Sequence, residues 1–241
     1  MSRKNKLAKF AENKTFNHVF EPVFSEIPLS DFEMKGKWNA AFFGNSNSIV
    51  AEFGCGKGDY CIALSQLHTN KNYIGVDIKG ARLWRGAKTR EQMQLQQVAF
   101  VRTRIEFTPY CFAKNELSEI WITFPDPQLR RKKRIKKRLT SARFLSYYQK
   151  MLVNNGIVHL KTDDDELFNY TRAIIELNGL PLVDLVLDVY SERPHDAVLG
   201  IKTFYENMWL AEGRTIKYLS FRLPDDCVIL EPVSNESENN E

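Results

Sequence analysis

Glu52-Phe53-Gly54-Cys55-Gly56-Lys57-Gly58 is the stretch on which the fold reading turns. It follows an apolar run, Ser48 to Phe53, that reads as a strand, and it precedes Asp59 to Leu67, which reads as a helix. Glycines there let the backbone turn tightly and approach a ligand closely. The spacing is Gly-x-Gly-x-Gly. It is neither the Gly-x-Gly-x-x-Gly of dinucleotide sites nor a Walker loop. An acid just before the loop disfavours a phosphate and favours a cation. The next apolar strand, Tyr73 to Asp77, ends in an acid nineteen residues after Gly58, a placement suited to ribose hydroxyls.

Strand and helix patterns alternate outward from this point. Gly80 to Gln96 reads as a helix, Val98 to Val101 and Glu119 to Phe124 as strands, and Ser141 to Leu152 as a helix. Gly156 to Lys161 reads as a strand, Asp164 to Leu177 as a helix, and Leu182 to Tyr190 as a strand. Thr215 to Arg222 alternates as a last, antiparallel strand. The order predicts an α/β fold of Rossmann-like type, a mostly parallel twisted sheet with helices on both faces. Ligands of such sheets bind at the carboxyl ends of the strands. Strand, acidic glycine loop, helix, strand and acid together resemble the class I methyltransferases that use S-adenosyl-L-methionine. That cofactor carries a sulfonium and an ammonium. The resemblance implies cofactor contacts at Glu52, Gly54, Gly56, Gly58 and Asp77. It also implies an adenine contact after Val101, where the family's acidic or amide position falls on Thr103 or Arg104. This chain has neither Asp nor Asn there; Arg104 is the residue carried over, with Glu106, a backbone carbonyl or water the alternatives.

The 241 residues hold 34 Lys+Arg and 30 Asp+Glu, a net charge of +4, with 43% hydrophobic and 27% charged residues. These proportions exclude wholesale disorder and a collagen-like chain, and the lack of any apolar run of about 18 residues or more excludes a transmembrane helix. The charge is unevenly spread. Residues 130–138 carry eight basic side chains in nine positions, and without them the chain stands at −4. Residues 1–14 hold five bases and one acid, and read as a mobile basic arm; residues 231–241 hold four acids and no base. The expected organisation is a basic arm at 1–15, a methyltransferase domain at 16–223 and an acidic tail at 224–241.

No apolar stretch of about 7–15 residues follows the basic start, so no secretory signal is read. Cys55, Cys61, Cys111 and Cys227 form no Cys-x-x-Cys pair and no zinc spacing with His18, His68, His159 and His195. A reduced cytoplasmic chain without a metal or a membrane contact is expected. Monomer and homodimer both stay open.

After the Glu119 to Phe124 strand comes Phe124-Pro125-Asp126-Pro127, and after Gln128-Leu129 the basic run. Two prolines restrict the loop around its acid. Basic side chains beside such a loop point to polyanion binding, since each phosphate neutralised adds about 0.9 to the salt slope on duplex nucleic acid. They do not choose a base. Phe124 to Pro127, the basic run ending in Arg138-Leu139-Thr140, His159-Leu160-Lys161-Thr162-Asp163 and Thr203-Phe204-Tyr205-Glu206 occur in the order found in the tRNA (guanine-N7)-methyltransferase family. The chain is similar to that family from about Phe16 to Leu223. It departs at Gln128-Leu129, where the family commonly has Trp-Pro or a similar pair.

That resemblance implies transfer of a methyl group to N7 of guanine in tRNA, in the family the variable-loop guanine-46. It implies substrate contacts at Asp126, Arg130, Asp163, Thr203 and Glu206, with Asp126 beside the reacting atoms. N7 carries an in-plane lone pair and no proton, so positioning and fixed charge are expected to suffice without a strong base. Bland roles stand beside these. Asp126 can cap its turn, Asp163 can cap the following helix, and Thr203 and Glu206 have capping-box spacing. Tyr147, Tyr148 and Trp121 are expected in the core or a groove. Two alternatives compete with the main reading. One is a methyltransferase acting on another RNA or on a protein, which the Asp126, Asp163, Thr203 and Glu206 set disfavours. The other is a non-catalytic RNA-binding protein, which the intact glycine loop with Asp77 disfavours.

Overall fold

The computed structural model describes residues 3–23, 25, 30–128 and 132–232. The chain opens with α1 (Arg3–Asn13) and a short β1 (Val19–Phe20). A π-helical turn, Trp38–Phe43, precedes β2 (Ser48–Phe53), α2 (Asp59–Leu67), β3 (Lys71–Val76), α3 (Gly80–Met93) and β4 (Val98–Val101). The 3₁₀ segment Ile105–Tyr110 leads to β5 (Leu117–Thr123), and a second, Lys132–Lys137, leads to α4 (Ala142–Tyr148) and β6 (Leu152–Thr162). Then follow α5 (Asp165–Leu177), β7 (Leu182–Val186), the single turn α6 (Val189–Glu192), α7 (Phe204–Ala211) and β8 (Lys217–Leu223).

Among the described residues the strands form one eight-stranded sheet in the order β1-β4-β3-β2-β5-β6-β8-β7. All its pairings are parallel except those of β8, which runs antiparallel between β6 and β7. The sheet is therefore mostly parallel with an antiparallel last strand, as the pattern predicts. Side-chain alternation along β2 builds its two faces. Ile49, Ala51 and Phe53 join a core with Phe144, Leu145, Leu167 and Phe168 of α4 and α5. Val50 joins a second core with Tyr60, Leu64, Leu83 and Ala87 of α2 and α3. Covered on both sides, β2 reads as a continuous buried run after Ser48. Trp121 and Tyr148 lie in these cores, as expected. The strand order reverses at β2, whose neighbours are β3 and β5, so a crevice opens at the carboxyl ends of β2 and β5.

Several boundaries differ from the sequence reading, each for a local reason. Helix α3 stops at Met93 because Gln94 turns left-handed (φ 55°) and its amide bonds Arg90 and Glu91 carbonyls. The helix expected to reach Leu152 ends at Tyr148, and Leu152 already pairs with Leu117 at the start of β6. Strand β7 ends at Val186 because the Asp188 side chain accepts from the Tyr190 and Ser191 amides and starts α6. The basic arm is a helix seated on α3: Asn13 Nδ2 donates to Gly80 O (2.9 Å), and Glu12 accepts from Trp84 Nε1 (2.7 Å) and pairs with Lys88 (2.7 Å). Residues 224–232 lie against α4 and α5, through Gln149 Nε2 to Pro224 O (2.7 Å) and Tyr170 OH to Glu231 Oε2 (2.5 Å). The rest of the acidic tail, 233–241, lies outside the described residues.

Candidate active site

Two loops leave the sheet at the reversal point. In the first, Gly54, Gly56 and Gly58 adopt φ of 77°, 56° and 71°, conformations that side-chain-bearing residues rarely take. The Gly54 and Cys55 amides both donate to Val76 O (2.8 and 3.1 Å), which binds the loop to the end of β3. Asp77, next in the chain, completes the bracket. Its carboxylate accepts from Gly56 N (2.8 Å) and Lys79 N (2.7 Å) and stands on the wall of a cleft of about 570 Å³. Gly58 is buried, and a Cβ there would come within 2.6 Å of the Phe100 ring. Its role in this structure is shape.

Glu52 lies behind the loop rather than on the cavity wall. It is buried, and its oxygens accept from Thr123 Oγ1 (2.9 Å) and Cys61 N (3.1 Å). Burial pushes its carboxyl up from 4.5 to about 7, against the opposing pull of those two donors. It joins the ends of β2, β5 and α2. Arg104 is exposed beyond β4 and lies off the cleft wall. Its neighbour Thr103 is fully buried, and its hydroxyl oxygen has no hydrogen-bond partner.

The second loop follows β5. Phe124 and Gln128, neither a glycine, both take left-handed φ, 48° and 58°. Such strain costs about 1–3 kcal/mol per residue and concentrates where function holds it. Between them Asp126 is exposed on the cleft, and its Oδ1 accepts from Gln128 N (2.9 Å). The capping role and a place in the cleft therefore coexist. Arg138 pins the loop from behind, donating from Nε to Pro127 O (2.9 Å) and pairing with Glu166. Although it belongs to the basic run, Arg138 is buried; Lys136 and Lys137 are exposed, and Lys137 reaches the cleft wall. Arg130 lies outside the described residues.

The opposite wall comes from the end of β6 and from α7. Asp163 lines the cleft and pairs with Arg214 Nη1 (2.6 Å), an interaction that raises the guanidinium's proton affinity. The cap of α5 is Asp164, which accepts from Leu167 N (2.7 Å), so Asp163 is released from the capping role. Thr203 and Glu206 do form a capping box on α7. Glu206 is fully buried, away from the cleft. One oxygen accepts from the Thr203 amide (3.2 Å), and the other pairs with the equally buried Lys161 (2.6 Å) and accepts from Tyr190 OH (2.7 Å). Burial lowers the Lys161 ammonium despite that partner. Thr203 and Gly56 instead border a small hollow of about 50 Å³ beside the main cleft, closed by Phe204 and Tyr205.

The structure thus gathers Gly54, Asp77, Asp126 and Asp163 on one cleft and keeps Glu52, Gly58 and Glu206 as its supports. Arg82, Tyr205, Trp209 and Arg214 also line it, and sequence reasoning missed them. They belong to no spaced motif. Tyr205 alone could have been suspected, lying inside the Thr203 to Glu206 segment. Among the described residues no cluster of His, Cys, Asp and Glu could hold a metal ion, and no helix is long and apolar enough to cross a membrane.

Residues 46–219 match a family model described as a putative methyltransferase. A tRNA (guanine-N(7)-)-methyltransferase of Bacteroides fragilis is 49% identical, over 95% of this chain and 90% of that protein. One of Christiangramia forsetii is 48% identical, over 92% of this chain and all of that protein. Among solved structures, an antibiotic-related methyltransferase superposes with a TM-score of 0.57 at 20% identity, covering 75% of this chain and 89% of that one. The 16S rRNA methyltransferase KamB gives 0.58 at 11% identity, over 76% of this chain and 91% of that one, a likeness of fold.

Proposed function

The chain belongs to the tRNA (guanine-N(7)-)-methyltransferase family, and from that membership we propose that it transfers a methyl group from S-adenosyl-L-methionine to N7 of a guanine in tRNA, the variable-loop guanine-46. The observation that carries the reading is the meeting of Asp77, Asp126 and Asp163 with the glycine loop on one cleft at the reversal of strand order. The cytoplasm, where tRNA is found, is the proposed location.

The residues present fit the cofactor. Asp77 faces the cleft at the end of β3, the position for ribose hydroxyls. Gly54 and Gly56 would carry the amino-acid end, with Glu52 and Gly58 supporting their loop. Arg104 would lie at the adenine's exposed edge. When bound, the cofactor supplies an electrophilic methyl group.

The protein's own work is placement and field. N7 needs no deprotonation, so no side chain has to remove a proton from it. Asp126 and Asp163 would hold the purine by accepting from its N1 and N2 hydrogens. Their charge would favour the ring as it becomes cationic. Adenine offers no donor at N1, and this separates the two purines. Thr203 and Glu206 would set α7 against the pocket, and Arg130 with its basic neighbours would hold backbone phosphates.

The test is to incubate the full chain with labelled cofactor and unmodified tRNA and analyse the nucleosides. 7-Methylguanosine is expected, and its loss when guanine-46 is replaced would fix the site. A folded protein that binds adenosylhomocysteine yet yields none would overturn the reading. Asp126→Ala should lower turnover about 100-fold, the usual weight of one preorganised electrostatic partner. Cofactor affinity should persist; its equal loss would remove Asp126 from the substrate side.

A further inference from the structure

Arg214 lines the cleft with its guanidinium stacked and paired. Its guanidinium carbon stands 3.9 Å from the centroid of the Trp209 ring. Nη1 donates to Asp163 Oδ2 (2.6 Å), while Nε and Nη2 share Glu212 Oε2 (3.1 and 2.9 Å). The backbone joins plug and platform, since Arg214 N donates to Trp209 O (3.0 Å). Trp209, Asp163 and Arg214 line the same cleft as Asp126.

The N1–C2–N2 edge of guanine is chemically a guanidine. It is planar, presents adjacent N–H donors to a carboxylate, and leaves its faces free for stacking. The Arg214 side chain does both, with its face on indole and its edge on carboxylate. Methylation at N7 adds a positive charge to the purine. The product then resembles the guanidinium still more, and cation–π attraction to an indole strengthens accordingly.

We propose that Trp209 is the stacking platform and Asp163 the edge partner of the target guanine, and that Arg214 is an internal ligand that holds their place until the base displaces it. This rests on the function proposed above, because it takes Asp163 as the guanine's partner. An internal ligand weakens the apparent affinity of every base by the fraction of time it occupies the site. It also sharpens choice. A guanine that evicts Arg214 gives Asp163 adjacent N–H partners at N1 and N2, whereas an adenine has no donor at N1 and would set that lone pair against the carboxylate.

The experiment uses the full chain at saturating cofactor and measures KM and kcat for tRNA, with cofactor affinity measured separately. Trp209→Ala should raise KM for tRNA about tenfold or more, the weight of one base–aromatic stack. Trp209→Phe should recover most of that loss, and cofactor affinity should not move. Arg214→Ala should lower KM several-fold, with Arg214→Lys in between, because ammonium neither stacks nor forks as guanidinium does. An unchanged KM in Trp209→Ala, or an unchanged or raised KM in Arg214→Ala, overturns the proposal. The parent reading fails separately, if the wild-type chain forms no 7-methylguanosine at all.

Discussion

Lys161 and Glu206 are an ion pair without access to water, and each has other obligations. Lys161 also donates to the carbonyls of Leu199 (2.6 Å) and Ile201 (3.0 Å), and Glu206 closes the capping box of α7. Removing one partner strands the other's charge. Lys161→Met should therefore cost about 3–5 kcal/mol of unfolding free energy. The double variant Lys161→Met with Glu206→Gln should regain much of this in denaturant titration, because no charge is left buried and the amide can still accept from Thr203 N. Glu52 gives a pH prediction. Its folded-state value near 7 lies above its ordinary 4.5, so between these limits the folded chain binds more protons than the unfolded one. Stability from this group falls as pH rises through that window and levels off above it, by at most about 3 kcal/mol. Glu52→Gln should lack this decline when urea midpoints are compared on either side of the window. A decline of equal size in the variant would assign it to other groups.

At the scale of elements, the glycine loop works because α3 comes close enough to support it. Gly86, inside α3, is the point of approach: a Cβ there would lie 2.5 Å from Lys57 O and 2.7 Å from the Phe100 ring. Alanine favours a helix by about 1 kcal/mol over glycine, yet Gly86→Ala should be destabilising by about 1–3 kcal/mol through this overpacking. It should also weaken adenosylhomocysteine binding in calorimetry, since the carbonyl it displaces belongs to the loop. The loop itself was legible in the sequence because its chemistry is local: a strand, closely spaced glycines and an acid at the next strand's end. The parallel core was legible for the same reason, through runs such as Ser48 to Phe53. Boundaries were less so. Asp163 and Asp164 are equally good caps on paper, and only the chain's path gives the role to Asp164. Trp209 and Arg214 carried no signal. They reach the cleft because β8 turns back antiparallel into the sheet and carries the preceding segment with it. Glu206 lies behind the wall: its spacing shows that it caps a helix but not that its second oxygen turns inward to Lys161.

Across the whole molecule, the net charge of +4 sums a cleft walled by Asp77, Asp126 and Asp163 and a basic run at 130–138, of which Lys137 reaches the cleft wall. Such a division suits a ligand that is cationic at its reacting centre and polyanionic outside it. Lys136 and Lys137 are exposed members of the strip. Lys136→Glu with Lys137→Glu should weaken tRNA binding and reduce the salt slope by about 0.9 for each phosphate no longer neutralised. An unaltered slope in filter-binding titrations would leave these lysines as solvated surface. The last arginine of the strip has a different office. Arg138 is held by Pro127 O and Glu166, so the chain carrying the basic residues is fastened at both feet, and one foot is the strained loop that bears Asp126. Fastened ends reduce the configurational freedom that must be given up when an RNA is captured. Ordering such a strip on phosphates should therefore cost less entropy than ordering a free basic tail.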